Sequence, residues 1–442
     1  MAARRPPTGG SLPETCLRLA LWAAVLVPPL VLFPTAIDAF RLPKLLAAEI
    51  LGLLSLVALV FRLRALNRVP ATVWRSPVVL AVVPLLLVAS LGVFASDHPE
   101  HVRRALGSLW IGAACLVGWS LGLTGQELRR YVAAAVAPAS LLAVLAILQY
   151  HGGFQPFGFA DIRPEARLAV VSLAGNAGDL GAYLSLACLL AQERAAAAAR
   201  RRWTWVAAAF VCAYGAVVSQ TLTAIVALAA GSALFWLLLL PRRRAWAAAA
   251  LATVLAAGVL VGVPELRHRM ALIGRALGSG DLGFVVSYRL DGWRAALWML
   301  RRHPWSGVGH GAYVTEYAPA KLALLERGGV FSPAPGSATF EHAHNEYLQV
   351  AAELGWPGVA ALAWGLAGLA RGARRRPPGA PRAIAWAGLA LLAASHFPFR
   401  LALTGYPALL LLAWLLRDEN SAPTAPQTAA PPRPAKRARR RR

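Results

Sequence analysis

PVVLAVVPLLLVASLGVFA, residues 77–95, runs from Pro77 to Ala95 without a charged side chain. A helix rises about 1.5 Å per residue, so a stretch of this length reaches across the roughly 30 Å hydrocarbon core of a bilayer. It reads as a membrane span, and the pattern recurs along the chain. About a dozen apolar stretches qualify, near 17–37, 45–61, 77–95, 106–123, 131–149, 179–193, 203–219, 222–240, 245–263, 346–370, 383–397 and 402–416. They predict an all-α polytopic membrane protein with about 12 transmembrane helices.

Composition points the same way. Of 442 residues, 58% are hydrophobic and 15% charged, whereas soluble domains carry about 25% charged residues. A soluble multi-domain enzyme is excluded on these figures. Lys and Arg number 45 against 20 Asp and Glu, for a net charge of +25. A strongly basic soluble chain suggests nucleic acid, but a basic apolar chain suggests spans joined by basic loops on one side of a membrane. The positions of the bases decide. Arg62, Arg64, Arg68 and Arg75 share one connection; Arg129 and Arg130, Arg200–Arg202, Arg242–Arg244, and Arg371 with Arg374–Arg376 mark others. The intervening connections carry few bases, offset by Asp38, Asp97 and Glu100. The positive-inside rule makes the Arg-rich set cytoplasmic and, with an even number of spans, both termini as well. No nucleic-acid partner is expected.

Five regions follow. Residues 1–16 form a cytoplasmic segment, and 17–263 a bundle of about nine helices. Residues 264–345 form one large outer loop with amphipathic helices, and 346–416 the last spans. Residues 417–442 are a Pro/Ala-rich basic tail whose composition cannot bury a core and is expected to be disordered. The first apolar stretch lacks an obvious small-x-small cleavage site, so it reads as a retained span. Cys16, Cys115, Cys188 and Cys212 are isolated, without metal-ligand spacing, and read as small buried hydrophobes without disulfides.

The outer loop is basic, with Arg267, Arg269, Arg275, Arg289, Arg294, Arg301, Arg302, Lys321 and Arg327. Long loops escape the positive-inside bias. Arginine's planar fork matches phosphate oxygens, so such a loop can hold an anionic headgroup or a pyrophosphate; the plainer alternative is a solvated surface with local pairs such as Asp291 and Arg294 at helical spacing. Residues 285–300 predict one helix whose apolar face carries Leu290, Trp293, Leu297 and Leu300, lying on the membrane surface. The Gly-rich turn His303–Gly311 follows; its glycines would allow a ligand to approach the backbone, but no Gly-Lys-Ser/Thr of a P-loop follows.

Residues 341–358, EHAHNEYLQVAAELGWPG, run directly into a span. Asn345, Gln349 and Glu353 recur every four residues and share a helical face, with Glu346 and Glu353 on the same side. Polar groups at that depth face a bundle interior or a wet cavity. Asn345 can cap the helix, and Gly355-Trp356-Pro357-Gly358 should bend or break it. His342 and His344 stand at the mouth. His-x-His separates the rings by about 200° on a helix, and no third ligand has a matching motif, so no metal is expected. A histidine there can act as a general base towards a hydroxyl; a rim histidine bonded to backbone is the bland alternative. Asn176, Asp179, Ser219-Gln220-Thr221, His396 and Arg400 fall in other outer turns and favour an outward-facing site.

Several of these segments resemble the O-antigen ligase and O-antigen polymerase superfamily. His344-Asn345-x-Tyr347-Leu348-Gln349 followed by Glu353-Leu354-Gly355-x-x-Gly358 looks like its signature. Arg289-x-x-x-Trp293 and Pro304-x-x-Gly307-x-Gly309 resemble the segment before it, Gly175-Asn176 its Gly-Asn-Pro-Asn segment, and Phe40-x-Leu42-Pro43-Lys44 its first outer turn. The specific part is 289–358. The resemblance implies a membrane glycosyltransferase in the bacterial inner membrane, with its active site on the periplasmic face. It implies transfer of a glycan from undecaprenyl pyrophosphate to a hydroxyl on lipid A–core, on a growing polysaccharide or on a protein. No cofactor is implied. His344 is the expected base and Arg289 the expected pyrophosphate ligand, and Arg294, His342, Asn345, Gln349, Gln220 and Lys44 are expected at the substrate. Where the family often carries Ser-Arg-Gly after its seventh span, this chain has Ser219-Gln220-Thr221. A second phosphate-binding arginine must then come from elsewhere, or Gln220 serves as a neutral contact. Two other classes compete. A solute transporter would show paired halves with broken helices, which the sequence lacks; a non-catalytic scaffold would tolerate loss of both His344 and Arg289.

Overall fold

The structure is a computed structural model that describes residues 12–36, 38–65, 76–154, 170–198, 200–241, 243–244, 258, 262–286, 288–329, 340–374 and 382–416. The expected span 245–263 and the basic tail fall almost wholly outside these residues. The described residues form helices joined by turns, with no strand among them. In chain order they are α1 (Leu12–Leu26), α2 (Arg41–Ala65), α3 (Pro77–Ala95), α4 (Pro99–Gly122), α5 (Gly125–Ala134), α6 (Val136–Gly152), α7 (Ala177–Ala197), α8 (Arg202–Val218) and α9 (Leu222–Leu239). After these come α10 (Pro264–Ser279), α11 (Leu282–Val285), α12 (Arg289–Arg302), α13 (Tyr313–Glu326), α14 (Glu346–Arg374), α15 (Arg382–Ser395) and α16 (Ala402–Leu416).

Among the described residues, five helical stretches are long and apolar enough to cross a membrane: Arg41–Ala65, Pro77–Ala95, Pro99–Gly122, Gly125–Gly152 and Glu346–Gly368. Arg202–Val218, Leu222–Leu237 and Ala402–Leu416 are shorter apolar helices. Large side chains on their outer faces, such as Phe94, Leu91 and Phe210, stay exposed. So wide an apolar surface suits lipid rather than water. The chain is an all-α, multi-pass membrane protein.

Local chemistry sets the helix ends. Pro77 opens α3 behind Ser76, where a missing N–H costs nothing. Thr124 and Glu127 form a reciprocal capping box at α5. The Asn176 side chain accepts from the N–H groups of Gly178 and Asp179 and starts α7. Some boundaries differ from expectation. The first span stops at Leu26, just before Pro28-Pro29, which cannot continue a helix. The stretch 131–149 is two helices that meet at Ala135. The single helix expected over 285–300 is split: α11 is one turn, Tyr288 adopts a left-handed φ of 61°, and α12 starts at Arg289.

Of the apolar face expected at the membrane surface, Leu297 is exposed, Leu290 and Trp293 are half-buried and Leu300 is buried; the close packing uses other residues. Gly292, Ala295, Ala296 and Met299 are buried. Small residues let α12 lie close against its neighbours. A Cβ at Gly292 would stand 3.3 Å from Tyr313 Oη and 3.5 Å from Ala343 O. That close packing sets Arg289, one turn away on α12, beside the segment that carries His344.

Candidate active site

The site grows from a break in a membrane helix. Inside α14, Gly355 has φ 62° and ψ −164°, as the Gly-Trp-Pro-Gly sequence led one to expect. Pro357 has no N–H for Glu353 O, and Trp356 N donates to Pro304 O instead of closing a turn on Ala352. Two carbonyls are thereby released in an apolar setting, where an unsatisfied group costs several kcal/mol, on the order of a lost hydrogen bond or more. The Gly-rich turn supplies both partners: Val308 N donates to Ala352 O at 3.0 Å and Gly309 N to Glu353 O at 2.9 Å. A Cβ on Gly307 would meet Glu353 C at 2.2 Å. Gly307 thus admits the backbone of α14, while Gly309 and Gly311 admit Ser96, Val102 and Ala105, so the close approaches seen at these glycines are to protein.

The break fixes the polar side chains of α14. Arg400, in the turn between α15 and α16, reaches Glu353 through Nη1 at 3.2 Å and Nη2 at 2.7 Å, and Glu346 through Nε at 3.4 Å. Phe399 N donates to Glu346 at 3.1 Å. Burial opposes the charge on Arg400, but Glu353 and Glu346 outweigh it and hold its pKa above the ordinary arginine value. His310 Nδ1 touches Glu353 Oε2 at 3.1 Å. Gln349 donates to Glu353 at 2.7 Å and accepts from Ala343 N. Buried carboxylates are tolerated when paired and hydrogen-bonded in this way. The network ties the outer loop, α14 and the last turn into one unit and holds residue 343, next to His344.

Three histidines surround Phe397. The rings of His342, His396 and His344 lie 4.5, 4.6 and 4.9 Å from it. His344 has a left-handed φ of 53°, which costs a non-glycine residue about 1–2 kcal/mol and aims its ring between Phe340 and Phe397. Burial, then the charge of Arg400, pushes His342 down to about 3. His342 is therefore neutral, and its buried Nδ1 has no hydrogen-bond partner among the described residues. Burial also drives His396 well below the usual histidine range, helped by His344, Arg289, Arg41 and His342. Its Nε2 lies 3.5 Å from Asp179 Oδ1. Arg41 bridges Asp179 at 3.2 Å and Glu341 at 3.0 Å, so the first outer turn joins the same cluster.

The cationic wall lies next to it. Arg289 is only 8% exposed. Its Nη2 meets Thr223 Oγ1 at 3.4 Å, and among the described residues no carboxylate pairs with it. Burial lowers its pKa to about 10, with the nearby Arg269 adding to the effect; it still carries its charge at neutral pH. Arg269, on α10, donates to Gln220 O at 3.4 Å. Gln220 has a left-handed φ of 55°. Two guanidinium groups from separate helices thus converge over the turn 219–223. Among the described residues, five non-glycine positions have positive φ, and Gln220, Tyr288 and His344 are three of them. Backbone strain concentrates where the chemistry-bearing groups meet.

The expected site residues divide into two groups. Arg289, His342 and His344 all act on His396, and Gln220 lies in the turn that Arg269 and Arg289 reach. Asn345 caps α14 by accepting from Leu348 N and donates to Ala394 O. Gln349 is spent on Ala343 and Glu353. Lys44 is buried and donates to Val31 O at 2.6 Å. These three hold the scaffold behind the site, because their polar atoms are engaged by protein. Arg294 is half exposed and faces Asp291 at 3.7 Å, the local pair that its spacing allowed. Sequence reading placed Asp179, His396 and Arg400 at the outer face and Arg269 in the basic loop without giving them individual roles, and it missed Arg41 and His310. His396 and Arg400 flank Pro398, and Asp179 opens an apolar helix; polar residues in such settings were the available signal. Three of the cysteines are buried as expected; Cys16 is exposed, and all four are free. Among the described residues, no three His, Cys, Asp or Glu side chains are grouped to hold a metal ion.

Two comparisons bear on this geometry. No curated protein matches the chain. A family model described as O-antigen ligase matches residues 207–363. The matched stretch contains Gln220, Arg269, Arg289, the Gly-rich turn, both rim histidines and the broken part of α14. The stretch that builds the cationic wall and the histidine rim is therefore the part of the chain that is similar to the O-antigen ligases.

Proposed function

We propose that the chain transfers a glycan from undecaprenyl pyrophosphate to a hydroxyl acceptor such as lipid A–core. The observation that carries the reading is the buried Arg289, which has no carboxylate partner among the described residues and starts the helix that packs against Ala343, the chain neighbour of the strained His344. In this reaction the acceptor oxygen bonds to the sugar's anomeric carbon. The bond from that carbon to the pyrophosphate oxygen breaks, and undecaprenyl pyrophosphate leaves. His344 takes the acceptor's proton. Arg289 and Arg269 stabilise the anion that departs, which is the kind of fixed charge that speeds such a step. Arg269 fills the role left open by Gln220. Neutral His342 and His396 orient the acceptor by accepting from its hydroxyls.

The polymerase and the protein-glycosylating enzymes of the superfamily would share this chemistry and differ in acceptor. The reading includes about twelve spans, cytoplasmic termini, and a site facing the periplasm of a bacterial inner membrane. Purified protein given a defined undecaprenyl-pyrophosphate glycan and lipid A–core should form product. His344→Ala should lower the rate roughly 10²–10⁴-fold at an unchanged protein level. Full transfer by His344→Ala would remove the assignment of the base; a product extended repeat by repeat would identify a polymerase.

A further inference from the structure

The other end of the bundle holds a second basic site. Helix α7 begins at Asp179's end and finishes near Arg194, and a helix of this length covers about 30 Å. Around its far end, α1, α5, α6, α7 and α8 enclose a cavity of about 640 Å³. Arg129, Arg130, Arg194, Trp22 and Trp205 line it.

The guanidinium groups there are only partly satisfied. Arg129 Nη2 pairs with the buried Glu193 at 3.0 Å. Arg129 Nε and Arg194 Nε are both buried, and neither has a hydrogen-bond partner among the described residues. The Arg194 guanidinium lies over the Trp205 ring, 5.5 Å from its centroid. This stacking fixes the plane of the fork while leaving its N–H groups for an acceptor. Three arginines against one glutamate leave a positive excess inside the cavity. Buried N–H donors without an acceptor are costly, and a phosphate oxygen would satisfy both. The two tryptophans have the amphipathic character typical of the membrane–water interface. The apolar wall of Ala133, Ala137 and Ala208 suits the start of an acyl chain. Basic pockets between membrane helices at this depth hold lipid headgroups.

We propose that this cavity binds a phosphate anion, carried on the headgroup of an anionic phospholipid in the leaflet opposite the candidate active site. The site is independent of the glycan-transfer reading. Arg129→Gln alone would strand Glu193, so the test uses Arg194→Gln and the pair R129Q/E193Q. Full-length protein is reconstituted in mixed phosphatidylglycerol and phosphatidylcholine, and bound lipid is counted by native mass spectrometry. Wild type should retain phosphatidylglycerol over phosphatidylcholine by about tenfold or more, equivalent to about 1.4 kcal/mol. Both variants should lose that preference while keeping the melting temperature of the lipid-free protein. In a second arm, inorganic phosphate is added in detergent. Stabilisation of wild type by free phosphate, absent in Arg194→Gln, supports the anion site with a soluble source. Equal retention of both lipids by wild type, together with no response to phosphate, overturns the proposal.

Discussion

Arg400 and Arg289 sit at the same end of the bundle, and both are largely buried, with opposite surroundings. Arg400 meets Glu353 through two nitrogens and Glu346 through a third. Arg289 meets a threonine hydroxyl and the field of another arginine. The pKa of Arg400 is raised, and that of Arg289 is lowered to about 10. The first arrangement is complete within the protein. The second leaves a buried charge without a counter-charge among the described residues, and in the proposed reaction the donor's pyrophosphate would supply it. Burial alone therefore does not separate two such arginines; the sign of the surrounding charge does.

The largest expected effect tests the structural half of this contrast. Arg400→Gln leaves two buried carboxylates without their cation, a loss of about 3–5 kcal/mol. The variant should fail to accumulate in membranes, as measured by detergent-extracted protein on size exclusion, and E346Q/E353Q/R400Q should regain much of the level. Next comes the functional half. Arg289→Gln should accumulate normally and melt no lower than wild type, because repulsion with Arg269 is relieved, while transfer falls roughly 10²–10³-fold. Arg269→Gln should lower transfer about tenfold, mainly through the donor KM, since its guanidinium is farther from the histidines in the chain of contacts. If Arg289→Gln and Arg400→Gln lose stability equally, the contrast fails.

The smallest effect is the pH response of His342. Its pKa is about 3 in the folded protein and about 6.5 in an unfolded chain. Between those values the unfolded chain binds a proton that the folded chain does not, so stability falls as pH drops through that window. Above pH 6.5 the contribution disappears. At pH 5.5 it amounts to about 1.4 kcal/mol, and His396 acts with the same sign. Melting temperatures from pH 7.5 to 5.5 should fall for wild type and fall less for His342→Gln. A wild-type curve that rises on acidification would contradict the burial of both rings.

Much of the architecture was legible in the sequence, because a span's length and apolarity depend only on local residues. Pro77–Ala95 matches its expected limits, and the break at Gly355 follows from local backbone preference. His344 stood out as a histidine at the mouth of a span beside a basic loop, whereas Arg289 was separated from the other loop arginines only by the family resemblance of Arg289-x-x-x-Trp293. The rest depends on distant partners. Gln349 and Lys44 are polar residues in apolar helices whether they face a substrate or a neighbouring backbone, and only the fold assigns the partner. Arg400 lies 47 residues from Glu353, and Arg41 lies 138 from Asp179, so no motif spacing links them. The packed face of α12 was not legible, because glycine and alanine contribute little to an apolar pattern yet permit the closest packing.

The broken helix α14 also bears on how the protein is made. Glu346–Gly368 is the least apolar of the five long spans, with mean hydropathy 1.2. It enters the membrane carrying two carboxylates whose counter-charge, Arg400, is synthesised some fifty residues later. Its freed carbonyls, by contrast, need the Gly-rich turn that has already been translated. Assembly therefore has a direction: the outer loop docks first, and the last hairpin closes the ionic network. The rim histidines reach their final surroundings only when Phe397 and Arg400 arrive. A chain cut short before that turn would insert most of its spans and still lack the site.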